Sequence, residues 1–394
     1  MKSSAAKYDF DAIVDVRNTA SIKWDRLEAE FGSRVIPMWV ADMDFAAPPE
    51  LLQALKARIE KGILGYTYPS EAYYEAVVNW LRDRHAWEVP PEWLVPSPGV
   101  VFSIGLLIQA FTLPGDNVVV QPPVYPWFYS AVRNNQREVV YNSLEVDSSY
   151  VMNLEDLRHK IDARTKMLIL CSPHNPVGRV WSAQELSRLG EICLEHELLL
   201  VSDEIHADLV FQPHRHRPLA SIAPELAAST VTLIAPTKTF NVAGVHSSTA
   251  VISDPKLRAV VLSRMRRLGV HFPSLLGMVA TQAAYTQCSE WLDQLLSYLN
   301  SNTELAVDFL TTHVPRIGAY KPEGTYLMWL DFRELGLNEA DLKRLLVEQA
   351  KVGFTPGTFF GPGGEGFQRM NVACPQGVLR QALRQLADAC AHAD

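Results

Sequence analysis

Three short segments carry side chains able to do chemistry, and each begins where an apolar run ends. The first is APTKTFNVAG, residues 235–244, in which Lys238 stands just beyond the run Thr232–Ala235. A lysine where a buried strand gives way to a loop is desolvated. Burial disfavours its charged form and leaves a neutral amine able to attack a carbonyl. A lysine stem snorkelling at a strand end is the structural alternative, and this segment alone does not decide between them. The second segment, SDEIHADLVF (202–211), puts Asp203 after Leu198–Val201, and the third, SPHNPVGRVW (172–181), puts Asn175 after Met167–Cys171. Ligands of open α/β sheets collect outside the carboxyl ends of strands, where both residues fall. Asp203 can keep a ring nitrogen protonated, and Asn175 can donate a side-chain N–H to a phenolate oxygen. Taken singly, each has a plain reading too: a helix cap for Asp203, an Asn-Pro turn for Asn175.

Bringing these groups together requires a sheet. Val118–Val120, Glu138–Tyr141, Met167–Cys171, Leu198–Ser202 and Thr232–Ala235 read as short buried strands. Helical patterns separate several of them, over Asn153–Ile161 and over Ala183–His196 after a Ser182 cap. Upstream, Pro48–Pro49 introduce one helix and Ser70 caps another, EAYYEAVVNWLRDRH. Strands buried on both faces and linked by helices predict an α/β fold with a mostly parallel central sheet. Past residue 273 the texture changes to long helical patterns, then Tyr326–Leu330, a helix over Ala340–Ala350, a Gly/Pro-rich loop, Gln368–Ala373 and a final helix. The expected division is a large α/β domain over 46–285 and a smaller α+β domain over 286–394, joined by the segment 1–45.

Composition excludes other classes. Of 394 residues, 48% are hydrophobic and the net charge is −8, which argues against a basic nucleic-acid surface. No apolar run reaches membrane-spanning length, and MKSSAAKYDFD has no apolar core of a secretory signal. Five cysteines without CxxC spacing point to reduced thiols in a cytoplasm rather than a disulfide framework or a zinc site.

The ordered set WVADMDF (39–45), GILGYTYP (62–69), SPGVV (97–101), SPHNPVGRVW, SDEIH, APTKTFNVAG, PEGTYLMWLDFR (322–333) and FQRMNVACP (367–375) spans nearly the whole chain. In these segments the sequence resembles fold type I pyridoxal-phosphate (PLP) enzymes, and more narrowly the cystathionine β-lyase-like C–S lyases of the MalY/PatB group. The resemblance implies that Lys238 carries PLP as a Schiff base and serves as the base for the substrate Cα proton. It implies that Asp203 pairs with the pyridine nitrogen, Asn175 contacts O3′ and Tyr125 stacks on the ring. Backbone N–H groups of Val100 and Val101 at a helix start, with the Thr237 hydroxyl, would hold the phosphate. Tyr66 would reach the phosphate of a neighbouring subunit, which makes the protein a homodimer. Arg369 would grip the substrate α-carboxylate through two parallel hydrogen bonds, with backbone around Val40–Ala41 also facing it. The plain readings are a core aromatic for Tyr125, a Pro-Gly turn before Val100 and a surface salt bridge for Arg369.

Three positions depart from the general transaminase pattern: Ala235 for a phosphate-binding serine, His246 for an arginine, and His206 for a tyrosine three residues after Asp203. Fewer charged contacts would then reach the phosphate. His206 reads equally as a contact to O3′ and as a structural histidine. Two segments look like decoys. HRHR (214–217) reads as an exposed charged loop rather than a metal site, and GPGGEG (361–366) as a mobile loop near the substrate entrance rather than a phosphate cradle. The implied activity is α,β-elimination of cystathionine or related cysteine S-conjugates to a thiol, pyruvate and ammonia. An aminotransferase on the same scaffold is the first alternative, and a regulatory protein that retains PLP the second.

Overall fold

The computed structural model describes residues 7–147, 149–271 and 273–391. Its centre is a seven-stranded sheet: β1 (Leu94–Ser97), β2 (Asn117–Val120), β3 (Glu138–Tyr141), β4 (Thr165–Cys171), β5 (Leu199–Asp203), β6 (Thr230–Ile234) and β7 (Ser248–Ile252). The spatial order is β1-β7-β6-β5-β4-β2-β3; only β7 runs antiparallel to its neighbours.

Alternation along the strands explains why both faces are covered. Val118, Val120, Met167, Ile169 and Val231 share a core with Ile104, Leu107 and Ile108 of the helix Val100–Phe111. Their neighbours Val119, Leu168, Leu170 and Leu200 point the other way, onto Leu186, Leu189 and Ile192 of the helix Ala183–Glu195. Side chains alternate between faces, so continuous apolar runs need helices on both sides. Ser182 begins that second helix with a complete capping box to Glu185.

The expected mostly parallel sheet is present, but the sequence reading missed two of its strands. In β1, Pro96 lowers the strand signal and is tolerated because the strand lies at the sheet edge. In β7, the polar start Ser248-Thr249 is buried among other hydroxyls, with Ser248 near Ser97 and Thr249 bonded to Tyr73. The helix expected to run to Ala350 is α-helical over Glu339–Arg344 and continues as a wider turn, Leu345–Gln349.

The second body of structure is an antiparallel sheet ordered β8-β9-β11-β10: β8 (Gly318–Ala319), β9 (Leu327–Asp331), β10 (Thr355–Pro356) and β11 (Phe367–Asn371). Met328, Leu330 and Met370 pack with Ala306 and Leu310 of the helix Ser289–His313 and with Leu379, Leu383 and Leu386 of the helix Gln376–Ala391. Between the two sheets runs an irregular strap, 38–45, and its position decides the site.

Candidate active site

The chain leaves β2 to form β3 on one side and returns to form β4 on the other. This switch of direction opens a crevice at the carboxyl ends of the strands. Register sets Cys171 beside Asp203 and Asp203 beside Leu233, so the segments following β4, β5 and β6 emerge together.

Asp203 ends β5, fully buried. Burial drives its carboxyl up to about 7, and the Lys238 charge only partly opposes this. Its Oδ1 accepts from the Ile205 N–H at 3.1 Å. Lys238 does not sit in an open loop, as the sequence suggested. It lies in a one-turn helix, Pro236–Thr239, closed by the Phe240 N–H to the Pro236 carbonyl and anchored by the Thr239 hydroxyl on Asp208 at 2.8 Å. Burial lowers the Lys238 pKa, opposed by nearby Asp42.

Asn175 is buried in the turn after β4. Within that turn Gly178 has φ +74°, and a Cβ there would come within 2.4 Å of Pro322, so only glycine lets the turn close on residues 322–324. Arg369, in β11, is buried opposite. Its Nη1 donates to Asn175 Oδ1 at 3.1 Å and its Nη2 to the Trp39 carbonyl at 2.7 Å, while its guanidinium lies 4.8 Å over the Phe360 ring. Burial lowers its pKa to about 10, leaving it cationic at neutral pH. Tyr125, on the segment after β2, lies close enough for Asp203 and Arg369 both to perturb its hydroxyl. His206 is buried, its ring edge-on to Tyr326. Burial, then Lys238 and Arg369, push it down to about 3, which makes it a neutral imidazole.

The strap is where sequence reasoning saw least. Its carbonyls accept from seven side chains: Trp39 from Arg369 and Thr355, Val40 from Asn371, Ala41 from Lys238 at 2.7 Å and Tyr326 at 2.7 Å, Asp42 from Lys23 and Asn371, and Met43 and Phe45 from Asn241. Asn241, three residues after Lys238, fastens the strap through Met43 and Phe45. Ala41 was expected here; Tyr326, Thr355, Asn371 and Asp42 were not singled out. Tyr326, Asp42 and Asn371 lie inside quoted motifs, but nothing in their spacing announces side chains gathered around the strap.

At the far end, the helix Val100–Phe111 begins after Gly99. Its first backbone bond joins the Ser103 N–H to the Gly99 carbonyl, leaving the Val100 and Val101 N–H groups ahead of the ladder. A Cβ on Gly99 would meet nothing within 4 Å, so there is open space there. Thr237 is buried, whereas His246 and Tyr66 are exposed, Tyr66 at 91%.

These residues can be tested for fit to PLP. Among the described residues His206 Nδ1, Arg369 Nε and Ser172 Oγ are buried without partners, and the Asp203 carboxyl is buried beyond what one backbone N–H satisfies. A ring nitrogen for Asp203, an oxygen for Asn175, an aldehyde carbon for Lys238 and an anion for the helix start are the features of that molecule, and the residues fit it.

Each decoy is a largely exposed loop with an inward anchor. In HRHR, His216 is buried and bonded to Glu204 at 2.7 Å, whereas His214, Arg215 and Arg217 are exposed. The GPGGEG segment is exposed at Pro362, Gly363 and Glu365 but held at Gly361 (φ +88°), which abuts Tyr129, whose hydroxyl donates to the Phe360 carbonyl.

The profile of the family "Aminotransferase class I and II" matches residues 33–386. The chain is 44% identical to the cystathionine beta-lyase PatB of Bacillus subtilis over 96% of this chain and 98% of that one. A PLP-bound structure from Clostridium difficile 630 is 44% identical, with a TM-score of 0.95 and coverage of 97% and 100%. The PLP-bound C–S lyase from Staphylococcus hominis is 33% identical, with a TM-score of 0.91 and 98% coverage of each chain.

Proposed function

The chain belongs to the class I and II aminotransferase family, and within that family we infer that it is a PLP-dependent C–S lyase. The observation that carries this reading is the 44% identity to a cystathionine beta-lyase along 96% of the chain. The reaction takes cystathionine or a related cysteine S-conjugate, with water, to a thiol, pyruvate and ammonia.

When bound, PLP supplies an electron sink for the pair left on the substrate Cα. The protein does the rest. Arg369 holds the substrate carboxylate in its planar fork, supported by its fixed bonds to Asn175 and the Trp39 carbonyl. Lys238 provides the attachment amine and then takes the Cα proton at Nζ. Asp203 offers its buried carboxyl to a ring nitrogen, and Asn175 and His206 stand beside it. The Val100 and Val101 amides and Thr237 receive the phosphate, and Tyr125 covers the ring face. Ala41 presents its carbonyl to Lys238 and the substrate side. These role assignments are supported by the convergence of Lys238, Asp203, Asn175 and Arg369 from separate segments on one crevice.

Three further features belong to the same proposal. A homodimer with Tyr66 entering the partner's site is supported by a run of exposed apolar side chains, Ile63, Leu64, Tyr66 and Tyr68, between the helices Pro49–Ile59 and Glu71–His85. A division into 46–285 and 286–394, with 1–45 as the joining segment, is supported by the separate core under the four-stranded sheet. A cytoplasmic location is supported by five free, buried cysteines. No described helix is long and apolar enough to cross a membrane.

The test is incubation with cystathionine and no keto acid. Sustained pyruvate release is expected. Strict dependence on an added keto acid would assign the chain to transamination instead.

A further inference from the structure

Two carboxylates two residues apart on the strap border the same cavity but have different partners. Asp44 is committed: its Oδ1 accepts from Lys23 Nζ at 2.9 Å and from Trp24 Nε1 at 3.2 Å, with Lys23 buried. Asp42 Oδ1 instead lies 3.6 Å from Lys238 Nζ. Its side chain is 42% exposed and also lines a cavity of about 260 Å³ bounded by Lys23, Trp24, Asn241 and Gly244. Asp42 therefore has the amine on one side and space for water on the other. The adjoining Ala41 carbonyl holds the same amine at 2.7 Å.

Other groups facing Lys238 do not offer that combination. Asp203 is fully buried, Arg369 is a cation, His206 is a buried neutral ring, and the hydroxyls of Tyr326 and Tyr125 are pushed far up by burial. An opposite charge within this distance favours the protonated amine, and Asp42 is the carboxylate with access to the cavity.

We propose that Asp42 is a positioning residue for Lys238, pairing with the ammonium formed when the amine takes the Cα proton and passing that proton out to the cavity. In that step the Cα–H bond breaks and an N–H bond forms at Nζ. The electron pair left on Cα forms the Cα–Cβ double bond, and the pair of the breaking C–S bond leaves on sulfur. The ammonium then gives a proton through Asp42 to water, restoring the amine, and the thiolate takes a proton from solvent. The identity of the proton rests on the lyase reading, whereas the pairing of the two residues does not.

The experiment measures the amine directly. Full-length protein freed of cofactor is trace-labelled with acetic anhydride across a pH series, and acylation of Lys238 is read by peptide mass spectrometry. Asp42→Asn is expected to move the reactivity midpoint of Lys238 down by about 1 to 3 pH units, because a charge that favours the protonated form is gone. Asp42→Glu is expected to keep most of the wild-type midpoint. Should Asp42→Asn fail to fold, Asp42→Ser takes its place. An unmoved midpoint, or an equal shift in Asp44→Asn, overturns the proposal. In the holoenzyme, Asp42→Asn is expected to lower kcat for pyruvate release with little change in KM. Failure of the lyase reading would appear as no pyruvate from the wild type; failure of this inference would appear in the labelling, which needs no substrate.

Discussion

Arg369 Nη1 donates to Asn175 Oδ1 at 3.1 Å, joining residues 194 positions apart in the sequence. The guanidinium is thereby fixed from behind, with Nη2 on the Trp39 carbonyl, before any substrate arrives. Arg369→Lys keeps the charge but loses the planar fork and these supports. The expected result is a fall in kcat/KM of about 10- to 100-fold, the size of one or two charge-assisted hydrogen bonds. Steady-state kinetics with cystathionine measure it. Unchanged kinetics would remove Arg369 from the site.

In the proposed roles, Lys238→Ala removes the attachment amine and the base together. Pyruvate release should drop by at least about 100- to 10,000-fold, the usual contribution of a positioned base. Borohydride should fix the cofactor to the peptide containing Lys238 in the wild type and leave this variant unlabelled. Labelling on any other lysine would sink the assignment.

Asp203 makes a prediction with a pH sign. In the cofactor-free protein burial raises its pKa to about 7, so the folded state binds this proton more tightly than the unfolded chain. The group's contribution is therefore fully favourable below the unfolded carboxyl pKa and is lost as pH rises towards 7. Asp203→Asn should raise the melting temperature of cofactor-free protein at pH 8, have less effect at pH 5, and abolish activity. Melting curves at the two pH values test the sign.

Asp208 carries the opposite sign. Burial alone would raise its pKa, but bonds from His85 at 2.8 Å and Thr239 at 2.8 Å outweigh burial and hold it below the usual carboxylate value. Its contribution is present above the unfolded pKa and is lost as pH falls through the depressed folded one. Asp208→Ala strands three buried donors, counting Trp80 Nε1, and should cost about 3–5 kcal/mol at neutral pH. Urea melts at pH 7 and pH 3 should show the difference shrinking in acid.

The proposed homodimer predicts complementation. Lys238→Ala and Tyr66→Ala homodimers should each be impaired. When mixed and refolded in equal amounts, half of the dimers are hybrids with one intact site of two, so about one quarter of wild-type activity should return. No recovery, with hybrids demonstrated by mass, would place Tyr66 outside the partner's site.

What the sequence determined by itself was local and periodic. Apolar runs such as Met167–Cys171 marked buried strands because a strand covered on both faces needs no polar alternation. Lys238, Asp203 and Asn175 could be picked out because each follows such a run, at the end of a strand where α/β sheets bind ligands. Capping chemistry fixed helix starts at Ser70 and Ser182 for the same local reason. Strands β1 and β7 were illegible because Pro96 and the hydroxyls of Ser248 and Thr249 become strand residues only beside particular partners. Only the tertiary structure could bring the strap against Lys238, aim Asp42 at its amine while Asp44 is taken by Lys23, and bury His216 from a loop that reads as exposed. Each of those depends on contacts across tens to hundreds of residues, and side-chain spacing along the chain carries no record of them.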